Sequence, residues 1–404
     1  METLAPRRWL TARREDPLVP RPRDIDTVCC SHDRLVRLLE ESCPERRIDL
    51  AGLVALPRAL PHAQRWHDWL AAGHHGGLEY LTRNPAERID PTLRNPWARS
   101  VLVFAQRYTD GWPRDCREPV AGGAEPRDDP AGTVPWTDRV SRYARGQDYH
   151  DVLLAGVKGV VDHLRSGLPG LVAHASTDTG PYLERETAWY AGLGFLGKNT
   201  CLIHEKLGSG LFLGVALTNL EVEGIADVGP AVTPLYGTVD RRLHPPLLAP
   251  TSLCGSCTRC LDACPTGALL EEGGLDANRC ISTWSIEWRG RTPVADRSAR
   301  AGLLFGCDIC QAVCPWNQRA ARHLAGSDVE SPPEEYSVLD EHEDLRLSNL
   351  LDLSDDEFRI RFRRTPLWRC HPEGLRRNAG TVAENLACSD LGRVDVDSPD
   401  GGDP

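Results

Sequence analysis

Between Asp26 and Leu220 the apolar positions recur at two periods. "RLVRLLEES" and "YHDVLLAGVKGVVDHLRSGL" repeat every three to four residues, which predicts amphipathic helices. "IDLAGLVAL", "ARSVLVFAQRY", "LVAHASTDTGP" and "SGLFLGVALTNLEV" are short apolar runs bounded by polar or turn residues, which predicts strands. Helices alternating with strands make residues 26–220 an α/β (α+β) domain.

The periodicity fails elsewhere. Residues 1–25 are Arg- and Pro-rich and read as a disordered extension, and the acidic 389–404 as a disordered tail. "DGWPRDCREPVAGGAEPRDDPAGTVPW" and the stretch 221–250 are Pro/Gly-rich and too long for ordinary connections, so they read as insertions or linkers. Residues 251–325 form a cysteine-rich module, and 326–388 a short helical segment containing "LSNLLDLSDDEFRIRF" and "GLRRNAGTVAENLA".

Composition adds limits. At 404 residues and 41% hydrophobic the chain can bury a substantial core. It shows neither an apolar run of bilayer length nor a secretory leader, which predicts a cytoplasmic protein with no membrane attachment. A net charge of −11 argues against nonspecific nucleic-acid binding and leaves room for a local basic patch.

Of fifteen cysteines, eight lie between Cys254 and Cys314, a clustering that points to metal or redox chemistry rather than disulfides. Cys254, Cys257, Cys260 and Cys264 follow C-x2-C-x2-C-x3-C-P. Cys280 stands alone, and Cys307, Cys310 and Cys314 repeat the C-x2-C-x3-C-P ending. The x2 spacers let one loop present three sulfurs to an iron–sulfur cubane, while the displaced fourth Cys serves the other cluster. That crossover puts Cys254, Cys257, Cys260 and Cys314 on one [4Fe-4S] cluster and Cys264, Cys280, Cys307 and Cys310 on a second. Four-cysteine zinc is the competing reading, though zinc sites rarely show this spacing followed by Pro.

Four other motifs are ambiguous. "GLGFLGKNT" matches G-x-G-x-x-G and nearly a phosphate loop, but "ETAWYA" before it reads as helix where a dinucleotide site needs a strand. His150 in "DYHDVL" is either a helix-start hydrogen-bonding residue or half of a corrinoid-ligating pattern lacking its glycine. Asp178 in "TDTGP" is either a turn or helix cap or an acid. "FRIRFRRTPLWRCHPEGLRRN" is a solvated arginine face or a phosphate-contacting one.

Taken in order, "AAGHHGGLEYLTRNPAERIDP", "YARGQDYHDVL", "DTGPYLERETAWYAGLGFLGKNT", "CGSCTRCLDACPTGAL", "RCISTWSIE", "GCDICQAVCPWN" and "GLRRNAG" resemble the epoxyqueuosine reductase family from about Asp26 to Leu386. The resemblance implies a cobalamin- and iron–sulfur-dependent enzyme that completes queuosine in tRNA. It places Asp178 over the cobalt; a poorly solvated pocket there would raise its pKa enough for it to act as the catalytic acid. It suggests cobalamin contacts at Arg88, Ser141, Asp178, Leu202, Leu213, Ser282 and Asp308. It further implies a tRNA anticodon stem-loop as partner, a flavodoxin or ferredoxin as electron donor, and a monomer. Many members continue past the "RN" segment into helical repeats, where this chain carries an acidic tail.

Two other functions fit parts of the sequence. A dehalogenase-like corrinoid reductase acting on a small molecule would share the cofactors. An electron-transfer ferredoxin module would explain the eight cysteines but not "YARGQDYH" or "DTGP".

Overall fold

The computed structural model describes residues 25–56, 63–112, 136–224, 234–237, 252–271, 273–290, 299, 302–342 and 345–391. Both expected disordered ends therefore lie outside the described residues, apart from Ile25 and residues 389–391. Most of the two Pro-rich insertions lies outside them as well.

Chain order begins with β1 (Val28–Cys30), α1 (His32–Ser42) and β2 (Leu50–Ala55). Next come α2 (Ala63–Ala71), α3 (Pro85–Ile89), β3 (Ser100–Arg107), α4 (Tyr149–Gly167), β4 (Ala173–Ser176) and α5 (Glu184–Tyr190). Strands β5 (Phe195–Leu196), β6 (Leu202–Ile203), β7 (Leu211–Thr218), β8 (Leu220–Val222) and β9 (Pro234–Tyr236) follow. Strands β4, β7, β3, β2 and β9 form one antiparallel sheet in that order. A parallel β1–β8 pair lies apart.

The expected mixed α and β domain is therefore present, with helices on both faces of an antiparallel sheet. The stretch 221–250 is not purely a linker, because β9 within it pairs with β2 at the sheet edge.

Period-two burial explains the layering. All eight residues of β3 are buried. Leu102 and Phe104 pack with Leu35 and Leu39 of α1 and with Leu153, Val157 and Leu164 of α4. Val101, Val103 and Ala105 face the opposite core, with Ala188 of α5, Ala191 and Leu193. Helix α4 starts where Asp148 accepts the His150 N–H and buries Leu153, Val157, Val160, Val161 and Leu164 on one stripe. Each such side chain contributes roughly 1.5–3 kcal/mol of transfer free energy.

Gly52 is dictated by close approach, since a Cβ there would lie 2.7 Å from the Ala191 carbonyl oxygen. Gly52→Ala should cost about 1–3 kcal/mol in denaturant unfolding, because backbone rather than a flexible side chain must yield. Gly380 has nothing within 4 Å of its added Cβ and lies inside the helix His371–Leu391. Gly380→Ala is therefore the control, expected to be neutral or stabilising by up to about 1 kcal/mol. An unchanged midpoint in Gly52→Ala would contradict this packing.

The C-terminal helices are not an appendage. Leu347, Leu350, Phe358, Phe362 and Leu375 share a core with Trp136, Val140 and Ala144 and with Leu304 and Phe305 of the cysteine module. Val140 and Phe305 also pair as a parallel β-bridge. Residues 136–144 thus join the module to the sheet domain.

Candidate functional site

The cysteine loops use short helices to set their sulfurs. Cys264 terminates α6 (Arg259–Ala263), Cys280 starts α7 (Ile281–Ile286), and Cys314 starts the helix Pro315–Leu324. Proline at the first position of that last helix loses no hydrogen bond and fixes the turn.

Cys254, Cys257, Cys260 and Cys314 line one cavity of about 110 Å³, together with Lys198, Asn199, Ile203 and Trp316. The thiols of each set also raise one another's pKa values. Burial pushes Cys260 up to about 11, with Cys254 and Cys314 adding to the effect. Burial also raises Cys307, and Cys280 and Cys264 raise it further. Cys310, raised by burial, feels Cys201 most and then Cys307 and Cys280. Among the described residues no three His, Cys, Asp or Glu gather around a single metal-ion position. Four thiols ringing a cavity fit a cubane, whereas zinc needs sulfurs converging to about 2.3 Å from one point.

A larger cavity of about 410 Å³ lies between the sheet domain and the cysteine module. Trp66, Trp69 and Tyr80 come from the chain before β3, Asp178, Glu184 and Arg185 from the β4–α5 region, and Leu275 and Ala277 from the module. Of the residues lining it, Arg88 Nε and Trp66 Nε1 are buried without a hydrogen-bond partner. Apolar walls with unpartnered donors suit a large flat ligand bearing peripheral amides, and to that extent the residues fit a corrin.

Asp178 is the chemical centre of this cavity. It adopts left-handed backbone geometry at φ 52°, uncommon for a residue other than glycine. It caps no helix: α5 begins at Glu184, and its N-cap position is Leu183, with no side-chain cap. Instead the Asp178 carboxylate accepts the Tyr149 hydroxyl at 2.8 Å and lies 3.4 Å from His150 Nε2. The Asp178 N–H donates to Glu184 Oε1 at 2.8 Å. His150 Nδ1 lies 2.7 Å from Asp148, so the imidazole bridges two carboxylates. Its N–H also donates to Asp148, so the helix-start reading of His150 holds alongside its contact with Asp178.

The charges do not fall as burial of Asp178 alone would imply. Asp178 is 60% exposed toward the cavity but enclosed by protein at longer range. That enclosure would raise its pKa, yet the hydrogen bonds and charge of His150, aided by Tyr149 and Arg369, outweigh it and hold the carboxyl below its usual value. The expectation of a raised Asp178 is thus overturned. Burial works against a charged His150, but Asp148 and Asp178 raise it to about 9. Glu184 is raised to about 8 by burial and by the Asp178 charge. At neutral pH the protons reside on His150 and Glu184, on either side of an ionised Asp178.

Of the expected cobalamin contacts, Arg88 and Asp178 line the cavity. The Ser141 hydroxyl donates to Asp308, which also accepts the Arg142 N–H at 2.8 Å, so Ser141 and Asp308 satisfy each other. Leu202 is buried in β6, Leu213 sits in β7, and Ser282 lies in the first turn of α7, all outside the residues lining the cavity. Glu184 and Tyr149 are site residues that the sequence did not single out. For Glu184 the available signal was its place six residues after Asp178, in the first turn of α5.

"GLGFLGKNT" lacks the strand–loop–helix geometry of a nucleotide site. It follows α5 and folds into β5, a tight loop and β6, over the Cys254 cavity. The arginine-rich segment is largely engaged with protein. Arg369 pairs with Glu287 at 2.9 Å, Arg376 with Asp355 at 2.9 Å, and Arg377 donates to the Trp288 carbonyl at 2.7 Å.

Comparison with known proteins agrees with this geometry. Residues 88–179 match the family described as epoxyqueuosine reductase QueG, DUF1730, and residues 253–317 match the 4Fe-4S double cluster binding domain. The epoxyqueuosine reductase of Gloeobacter violaceus is 37% identical over 80% of this chain and 89% of its own length. That of Synechocystis sp. is 35% identical over 78% of this chain and 93% of its own. A solved epoxyqueuosine reductase, in complex with an epoxyqueuosine-modified tRNA-Tyr stem loop, superposes with TM-score 0.67 at 27% identity, over 88% of this chain and 82% of its own. No helix among the described residues is long and apolar enough to cross a membrane. With its double four-iron cluster domain and its carboxylate–imidazole site beside one continuous fold, this chain belongs to the epoxyqueuosine reductase family of oxidoreductases.

Proposed function

We propose that this protein reduces epoxyqueuosine to queuosine at the wobble position of tRNA, with cobalamin bound in the large cavity. The observation that carries the reading is Asp178, held in strained backbone geometry and facing that cavity between His150 and Glu184. Removing the epoxide oxygen breaks two C–O bonds, forms an alkene and releases water, consuming two electrons and two protons. The electrons come from the two clusters, loaded by a flavodoxin or ferredoxin. Bound cobalamin supplies a strongly reducing cobalt.

The protein's own part is positioning and proton supply. Arg88 and Asp178 hold the cofactor and substrate side of the cavity, and the aromatic Trp66, Trp69 and Tyr80 exclude water. Asp178 presents a carboxylate to the leaving oxygen and relays the proton that rests on His150.

The pH dependence follows in sign. His150 is protonated below about 9, so kcat/KM should be flat near neutral pH and fall as pH rises through that value. In His150→Gln the alkaline limb should disappear or move and the neutral rate should drop; an unchanged profile would remove His150 from the proton path.

Anaerobic reconstitution with iron, sulfide and cobalamin, followed by epoxyqueuosine-containing tRNA and a reductant, separates the readings. Queuosine formation supports this proposal. Cobalamin binding without queuosine favours a small-molecule reductase, and no cobalamin binding favours an electron-transfer module.

A further inference from the structure

The loop between β5 and β6 serves the first cluster site, although its sequence imitates a nucleotide motif. Gly197 permits the bend, since a Cβ there would lie 2.6 Å from Asn199 Oδ1 and 2.6 Å from Ile203 Cδ1. Asn199 locks the loop, accepting the Cys201 N–H at 3.3 Å while its amide donates to the Cys310 carbonyl at 3.3 Å. Arg185 donates to the Thr200 carbonyl at 2.8 Å. Between these anchors Lys198 turns toward Cys254.

Lys198 makes three contacts there. Its backbone N–H donates to Cys254 Sγ at 3.5 Å. Its ammonium donates to the Gly255 carbonyl at 2.9 Å and to the Cys257 carbonyl at 3.0 Å. Lys198 therefore lines the same cavity as Cys254, Cys257, Cys260 and Cys314.

We propose that Lys198 raises the reduction potential of the cluster held by Cys254, Cys257, Cys260 and Cys314. The inference rests on the two-cluster reading above. A four-thiolate cluster gains a negative charge on reduction, and a fixed cation within the ligand loop stabilises that state. Hydrogen bonds to a ligand sulfur act in the same direction. The second set of thiols has no corresponding lysine contact among the described residues.

The test is EPR-monitored redox titration of the reconstituted protein with Lys198→Met, Lys198→Gln and Lys198→Arg. In Lys198→Met the reduced-to-oxidised ratio of one cluster, poised at its original midpoint, should fall about tenfold, equivalent to a midpoint about 59 mV lower. The other cluster should stay put, and Lys198→Arg should recover the original value. Lys198→Gln retains a donor to the two carbonyls without the charge, and should resemble Lys198→Met. Full iron content with unmoved midpoints in both neutral variants overturns the proposal. Loss of iron in both assigns Lys198 a structural role and overturns it too. Failure of the unsubstituted protein to take up eight irons would instead sink the two-cluster reading itself.

Discussion

Asp178→Asn should keep both clusters and bound corrinoid while slowing queuosine formation by about 10²–10⁴-fold, the range typical of a lost proton-transfer group. The amide is nearly isosteric, so the Tyr149 hydroxyl at 2.8 Å keeps an acceptor and the Asp178 N–H can still reach Glu184. What is lost is the negative charge that draws the proton on His150 toward the substrate. The effect should fall on kcat more than on KM, since the interaction is made to the leaving oxygen rather than to the bound nucleotide. His150 should also titrate lower in the variant, because Asp178 is one of two carboxylates that raise it. Unimpaired turnover in Asp178→Asn with full cofactor content would remove the residue from the chemistry.

The second large effect concerns ligand sharing. Crossover ligation puts Cys260 and Cys264, four residues apart in one loop, on different clusters. The double substitution Cys260→Ser with Cys264→Ser should therefore abolish both clusters and remove all the iron of a double four-iron domain. If Cys254, Cys257, Cys260 and Cys264 shared a single cluster, the same variant would retain half of the iron. Iron analysis with EPR decides between them. The cavity that gathers Cys314 with Cys254, Cys257 and Cys260 supports the first outcome.

The parts that could be read from the chain were those governed by local pattern. The stripe from Leu153 to Leu164 and the run around Leu102 and Phe104 announced their elements because burial on one face imposes a period. The cysteine spacings announced two shared sites because short spacers restrict which sulfurs can meet. Strand direction was not legible, since an antiparallel sheet with helices on both faces has the same buried runs as a parallel one. Strand β9 was hidden because Pro234–Tyr236 is a three-residue edge element inside a Pro-rich stretch. The charge state of Asp178 was hidden for a different reason. His150 precedes Asp178 by a whole helix and strand, and only the fold brings its ring within 3.4 Å of the carboxylate. Residue type alone suggested burial, and burial alone gives the wrong sign.

The most direct test of the account is nucleoside mass spectrometry after a limited reduction. Protein loaded with iron, sulfide and cobalamin is given a counted quantity of electrons and then epoxyqueuosine-containing tRNA under anaerobic conditions. The account predicts a product lighter by one oxygen, formed at one molecule per two electrons supplied. Epoxyqueuosine recovered unchanged from fully loaded, fully reduced protein would contradict it.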